Sequence, residues 1–413
     1  MRDKEIKRGI LFTIGDLRPG GAEMFLLRLA QYLSSNFNIY IFCLNPEKNN
    51  DDFLKLFHSN LNFKFLESNY KTSPFEEKLF WKINALGSIF GVKGLYSKII
   101  KIKNRQFIRN QIKQYNIVAI NSSGISSDNR SIFYFKKNFK IPVLITMHSD
   151  YNEEFWELKD RKKEDFFKLS NSILSKADSI LYTADHNIKI FQNIQNYNGP
   201  NPEKCYLGFN PTAKTNIRAL LNIPEDAFVI VMMARGIREK GFVEAIDAFK
   251  LLKKEHFSSY LILIATETEH IKTLKEENKT EPNIIFMSYQ ADPSPILHSS
   301  NCMVLPSHFP ESLPYTITES LACGKPVLAC PIAEIPKMLQ TNEGIAGELI
   351  PLTKQGIADH IFLAEKLIEY AKNASLFREK EKLAALAFQK FDMKKCGEFY
   401  LNEFNRIINK GSN

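Results

Sequence analysis

The chain has no apolar run long enough to cross a bilayer: its longest uncharged apolar stretch falls within 83–92, well short of the roughly 20 residues a spanning helix needs. A signal peptide is also missing, because MRDKEIKRGILFTIGD carries charge throughout and reads as a leading strand. The six cysteines, Cys43, Cys205, Cys302, Cys323, Cys330 and Cys396, form no CxxC and have no histidine cluster beside them. That argues against a zinc site and a disulfide framework and for buried, reduced thiols in a cytoplasmic protein. No repeat at solenoid spacing and no low-complexity segment occurs. The dinucleotide fingerprint GxGxxG is absent, and the second expected strand ends in CLNP with no acid for a ribose, which disfavours a nicotinamide-dependent enzyme.

What is present is ordinary globular composition: with 44% hydrophobic and 24% charged residues over 413 positions, about two or three domains are expected. Short apolar, β-branched runs alternate with longer amphipathic stretches, the pattern of a parallel α/β sheet. Strands are expected at 10–14, 39–44, 117–121, 143–148 and 180–183. A second series is expected at 229–234, 261–265, 284–287, 303–306 and 327–330. Two doubly wound domains follow, with a boundary in GFNPTAKTN at 208–216, where turn residues replace periodicity. The expected division is 1–210, 211–390 and a C-terminal helical segment, 391–413, that crosses back to the first domain.

Ligands of open parallel sheets bind beyond the carboxyl ends of the strands, so those ends hold the candidate residues. After the first strand, Gly20 and Gly21 precede an amphipathic helix that carries Glu23 in its first turn. Glycine lets a backbone approach a ligand and the helix start offers free N–H groups, although an ordinary strand-to-helix turn looks the same. PVLITMHSD places His148 at a strand end, and Asn121, Ser122 and Ser123 end the strand before it. FVIVMMA is followed by RGIREKGF, so Arg235 leaves the strand while Lys240 and Gly241 open the next helix. Two cations at a helix start oppose the helix dipole unless an anion joins them, and a diphosphate supplies one; a solvated basic turn is the plain alternative.

The segment CMVLPSHFPESLPYTITESLACGKPVLAC combines Glu311 and Glu319 with a helix expected from about Thr316 to Gly324. Backbone N–H groups around Tyr315, Thr316 and Ile317 make an anion site at that helix start. Thr316 and Glu319 also fit a capping box that needs no ligand. Carboxylates beside a phosphate site repel phosphate, so sugar and ribose hydroxyls are their natural partners.

At these residues the chain resembles glycosyltransferase family 4, the retaining glycosyl transferases of group 1 with the two-Rossmann-domain GT-B fold. The resemblance runs from GGAE through ADSILYTADHNIKIF and ALLNIPEDAFVIVMMARGIREKGF to PSHFPESLPYTITESLACGKPVLA. It implies two Rossmann-like domains facing each other across a cleft and hexosyl transfer from a nucleotide-diphosphate sugar to a glycan or lipid-linked acceptor. The setting it implies is surface polysaccharide or lipopolysaccharide synthesis. By resemblance Arg235 and Lys240 bind the donor diphosphate, Glu319 the ribose and Glu311 the transferred sugar. His148 lies near the reacting centre, Gly20 and Gly21 close on the phosphates, and Leu313, Tyr315 and Thr316 complete the donor site. No cofactor and no metal is implied, and the chain has no DxD motif. Ser312 and Leu313 stand where many relatives have glycine and an aromatic residue, which bears on the donor sugar.

Nearly all of the net charge of +9 lies in the window 71–113, with ten Lys or Arg against Glu76 and Glu77. Lys98, Lys101, Arg105 and Arg109 share one helical face, with Phe75, Phe80, Trp81, Ile89, Phe90 and Tyr96 upstream. Such a segment suits the anionic inner face of a membrane; a solvated helix is the plain alternative. A nucleic-acid partner is disfavoured because the charge is local. A glycosidase would use two carboxylates but leaves the cations unexplained, and a non-catalytic subunit of the same fold is the rival from another class.

Overall fold

The computed structural model describes residues 7–51, 53–54, 63–67, 95–151, 163–211, 214–256, 258–309 and 311–410. Its first sheet holds β1 (Gly9–Ile14), β2 (Asn38–Cys43), β3 (Phe63–Phe65), β4 (Ile117–Ser123), β5 (Val143–Met147), β6 (Ser179–Tyr182) and β7 (Glu203–Lys204) in the order β3-β2-β1-β4-β5-β6-β7. Its second holds β8 (Phe228–Ala234), β9 (Ser259–Ala265), β10 (Ile284–Met287), β11 (Cys302–Leu305), β12 (Val327–Ala329) and β13 (Gly347–Leu349) in the order β10-β9-β8-β11-β12-β13. All strand pairings are parallel, and the order reverses between β1 and β4 and again between β8 and β11. These are the switch points where such sheets open a crevice.

The expected strands appear within a residue or two of their limits, and three more, β3, β7 and β13, appear that periodicity did not suggest. Each of the three lies at a sheet edge and is two or three residues long. β1 and β5 are buried along their whole length and show continuous apolar runs, whereas β3 and β7 have no fully buried residue. An edge strand contacts the core on too little surface to need the pattern.

The longer helices include α1 (Gly21–Leu33), α2 (Leu95–Gln114), α3 (Phe242–Glu255), α4 (Tyr315–Ala322), α5 (His360–Lys372), α6 (Ala374–Phe388) and α7 (Met393–Lys410), of which α1 and α4 start at the site. Met393, Cys396, Tyr400, Phe404 and Ile407 recur at helical spacing and are buried, so α7 has one apolar face to hide. It hides that face on the first domain, against α1, β4 and β5. The Tyr400 hydroxyl lies 3.1 Å from Thr146 Oγ1, and Ser179 Oγ donates to Glu403 at 2.7 Å. A Cβ at Gly397 would run into the ring of Tyr32, so a side chain there would push α7 off α1.

One apolar cluster runs through both sheets and α7, and polar ties reinforce it. Lys204 pairs with Asp185 at 2.6 Å and with the buried Glu334, which also accepts from Tyr206 at 3.0 Å. Asn187 Nδ2 donates to Ser312 Oγ at 2.9 Å. All six cysteines are free, and the sulfurs of Cys205 and Cys396 stand 3.9 Å apart. Among the described residues no helix is long and apolar enough to cross a membrane.

Candidate active site between the two sheets

A cavity of about 710 Å³ opens between the domains and is lined by Gly20 and Gly21 after β1, His148 after β5, Arg235 and Lys240 after β8, and Glu311, Leu313, Tyr315, Thr316 and Glu319 after β11. The strand order explains this convergence, because β1 and β8 are the central strands at the two switch points.

The cationic wall differs in detail from the sequence expectation. Lys240 closes a short 3-10 turn, Arg238–Lys240, and does not open the helix; α3 begins at Phe242 after Gly241. Gly241 has φ +85, and a Cβ on it would run into the carbonyl of Pro306, so only glycine fits the step that delivers Lys240 to the cavity. Lys240 is buried and already has an anion: its Nζ donates to Glu311 Oε1, which also accepts from Ser307 Oγ at 2.9 Å. Burial pulls the Lys240 ammonium below its ordinary pKa while Glu311 works in the opposite sense. Arg235 is exposed and, among the described residues, makes no hydrogen bond; its guanidinium lies 5.1 Å from the centre of the Phe309 ring, with Lys240 Nζ at 4.7 Å from the same ring.

Helix α4 begins at Tyr315, with Pro314 in extended conformation before it and no side-chain cap. The capping box that Thr316 and Glu319 offered as an alternative is therefore not formed, since Glu319 lies a full turn inside the helix. Of the first-turn residues, Tyr315 and Thr316 line the cavity with their backbone N–H groups outside the helical ladder, whereas the Ile317 N–H donates to Pro314 O at 3.1 Å. Glu319 is buried and forms an ion pair at 3.4 Å with Arg28 of α1, in the other domain. Burial pushes its carboxyl up to about 7 although Arg28 lowers it and Asp292 raises it. Tyr315 is buried too and donates its hydroxyl to Gly208 O at 2.6 Å.

On the first-domain side, the α1 start abuts α4 directly: a Cβ on Gly21 would lie 3.5 Å from Tyr315 Cβ. Gly20 is extended, φ −166, so what it supplies is room, as the Glu23 carboxylate folds over it. Burial, with a smaller push from Asp16, raises Glu23 to about 7. His148 packs edge-on against Phe25 with ring centres 5.8 Å apart, and its Nδ1 is buried with no hydrogen-bond partner among the described residues. Desolvation pushes its pKa down to about 4, so the ring is neutral at pH 7. Asn121 turns away from the cavity and donates to Thr146 Oγ1 at 2.8 Å; neither it nor Ser122 nor Ser123 is part of the lining.

The sequence expectation missed Arg28, Ser307, Phe309 and Tyr289. Arg28 carried a signal: a single cation in the apolar run MFLLRLAQYL needs a buried acid.

Residues 213–378 match the family described as Glycosyl transferases group 1, so the second domain is related to that family. Lipopolysaccharide core biosynthesis glycosyltransferase LpsD of Rhizobium meliloti (strain 1021) is 27% identical over 197 residues, 47% of this chain and 54% of that protein. Poly(glycerol-phosphate) alpha-glucosyltransferase of Bacillus subtilis (strain 168) is 24% identical over 203 residues, 48% of this chain and 29% of that one. The chain thus spans about half the length, or less, of the curated relatives it matches. Among solved structures, Anabaena Alr3699/HepE in complex with UDP and glucose superposes with a TM-score of 0.70 at 16% identity, covering 97% of this chain and 100% of that one. WaaG, a glycosyltransferase involved in lipopolysaccharide biosynthesis, gives 0.62 at 13% identity, covering 96% and 99%. At these identities the likeness is one of fold, and that fold is GT-B.

Proposed function

We propose that the chain is a retaining, metal-independent glycosyltransferase that moves a hexosyl group from a nucleoside-diphosphate sugar to a hydroxyl of a glycan or lipid-linked acceptor. One observation carries this: Arg235, Lys240 and the uncapped start of α4 face the same cavity as the carboxylates of Glu311 and Glu319. Cations and helix N–H groups suit a diphosphate, and carboxylates suit the hydroxyls on either side of it. Residues 211–390 would hold the donor, 1–210 the acceptor side, and 391–413 would pack back on the latter.

In the transfer, the bond from the anomeric carbon to the diphosphate oxygen breaks as the acceptor hydroxyl attacks from the same face. Its proton passes to the leaving phosphate oxygen, whose charge Arg235, Lys240 and the α4 start stabilise. Glu311 would orient the sugar and Glu319 the ribose, while neutral His148 offers a hydrogen bond near the reacting carbon. A glycosidase is less well supported, since each carboxylate is committed to a cation, Glu311 to Lys240 and Glu319 to Arg28. The names of LpsD and WaaG, both of lipopolysaccharide biosynthesis, favour an enzyme of surface polysaccharide assembly.

Thermal unfolding of the purified protein with uridine and guanosine diphosphates and their sugars tests the donor site. A rise in Tm with one diphosphate, lost in Arg235→Ala and Lys240→Ala, is expected; no rise with any would favour a non-catalytic subunit. Activity unaffected by EDTA is expected.

The exposed face of α2 favours a membrane-facing acceptor. Lys98, Lys101 and Arg105 are exposed beside Ile102, which is 68% exposed; residues 71–94 of the basic window, with their aromatics, lie outside the described residues. Cosedimentation with phosphatidylglycerol vesicles at low salt, lost in Lys101→Glu/Arg105→Glu, is expected, and binding no better than to phosphatidylcholine vesicles would reject it.

A further inference from the structure

We infer that Arg28 is a positioning residue for the nucleoside half of the donor: from the first domain it holds the Glu319 carboxylate and the Tyr315 ring of the second in the geometry that receives a ribose. This rests on the donor site proposed above. Arg28 stands in the middle of α1, and its guanidinium faces Glu319, Tyr315 and Ala291 of the other domain and Phe209 of the segment that joins the two. It pairs with Glu319 at 3.4 Å, donates to the Tyr315 hydroxyl at 3.4 Å and to Ala291 O at 3.2 Å, and lies 4.1 Å over the Phe209 ring and 5.2 Å from the Tyr315 ring centre. A planar fork with several fixed donors can do this, whereas an ammonium cannot.

Two consequences follow. Arg28 stands two turns behind the start of α1 and Glu319 one turn behind the start of α4, so the tie is set back from the phosphate-facing ends of both helices and bears on the nucleoside side of the cavity. And the Glu319 carboxylate, buried with its neighbours, has one cation paired with it among the described residues. The groups facing it are Arg28 from α1, Asp292 and Tyr289 from the segment after β10, and Tyr315 and Cys323 from α4 and its end. Of these only Arg28 is positive. A carboxylate accepts from two ribose hydroxyls; its protonated form gives up an acceptor position.

The test is calorimetric binding of uridine diphosphate, guanosine diphosphate and inorganic pyrophosphate from pH 6 to pH 9. Pyrophosphate has no ribose, so the ratio of affinities isolates the nucleoside contacts from Lys240, Arg235 and Glu23. In the wild type the preference for the nucleoside diphosphate should grow as pH rises through about 7, and Glu319→Gln should abolish that growth. In Arg28→Met the rise should move up by about one pH unit, which is about a fivefold loss of preference at pH 7, with pyrophosphate affinity changed less than about twofold. Arg28→Lys, which keeps the charge and is the variant to use if Arg28→Met does not fold, should keep most of the midpoint and lose part of the preference. A midpoint that does not move in Arg28→Met, or an equal loss for pyrophosphate, overturns the inference and leaves the donor site standing. If the wild type binds none of the three probes, the proposed function falls and this inference with it.

Discussion

Lys240 and Glu311, 71 positions apart, are each other's partner: the ammonium donates to the carboxylate inside the cleft, with side-chain exposures of 8% and 11%. Either charge alone would be costly at that depth, so the pair explains how two charged side chains are held inside the cleft. A donor whose diphosphate takes up Lys240 leaves Glu311 free for hydroxyls.

Removing the cation should therefore damage both stability and chemistry. Lys240→Met is expected to cost about 3 kcal/mol by stranding Glu311 and to slow transfer by about a hundredfold or more. Lys240→Met/Glu311→Gln should regain at least about 1 kcal/mol of that stability without regaining activity. Urea unfolding and initial rates check this; additive losses in stability would count against the pairing.

Glu23 should make the protein less stable as the solution becomes alkaline. Its carboxyl is raised from 4.5 to about 7 in the folded state, so that state binds more protons than the unfolded chain between those values. The stabilisation is full below about 4.5 and lost as pH rises through about 7. Glu23→Gln removes this penalty. Its unfolding free energy relative to wild type should improve by about 1–2 kcal/mol between pH 5 and pH 8, the shift being discounted for partial exposure. A gap independent of pH would show that the carboxyl is not held protonated.

Gly241→Ala should lower unfolding free energy by at least about 2 kcal/mol, from a left-handed backbone and a clash with the Pro306 carbonyl. Because the same step delivers Lys240, diphosphate affinity should fall with it. Wild-type affinity in this variant would mean that the 3-10 turn adapts.

His148 should contribute a hydrogen bond and no charge. With its pKa near 4, it cannot produce an activity change between pH 6 and pH 8. His148→Ala should lower kcat by about tenfold to a hundredfold, within the range of one positioned hydrogen-bonding group, and leave the shape of the pH–rate curve unchanged there. Loss of an acid limb in that range on substitution would contradict it.

The central strands were legible because a strand buried on both faces must be apolar along its length, as β1 and β5 are. β3, β7 and β13 were not, since two or three half-exposed residues carry no such demand. The candidate site was legible for a related reason: Gly20, His148, Arg235 and Glu311 interrupt apolar runs where a packed sheet ends. The capping box that Thr316 and Glu319 offered as an alternative to a ligand role shows the limit, because Pro314 sets the helix start and Glu319 answers a residue of another domain.

By itself, then, the sequence determined that there are two series of parallel strands and which polar residues stand at their ends, since burial and periodicity act over a few neighbouring residues. Only the tertiary structure decided that Lys240 faces Glu311, that Arg28 faces Glu319, and that Glu23, Glu319 and His148 titrate far from their ordinary values. Those properties come from desolvation and from charges brought together across a cleft, which depend on distance in space and not on separation along the chain.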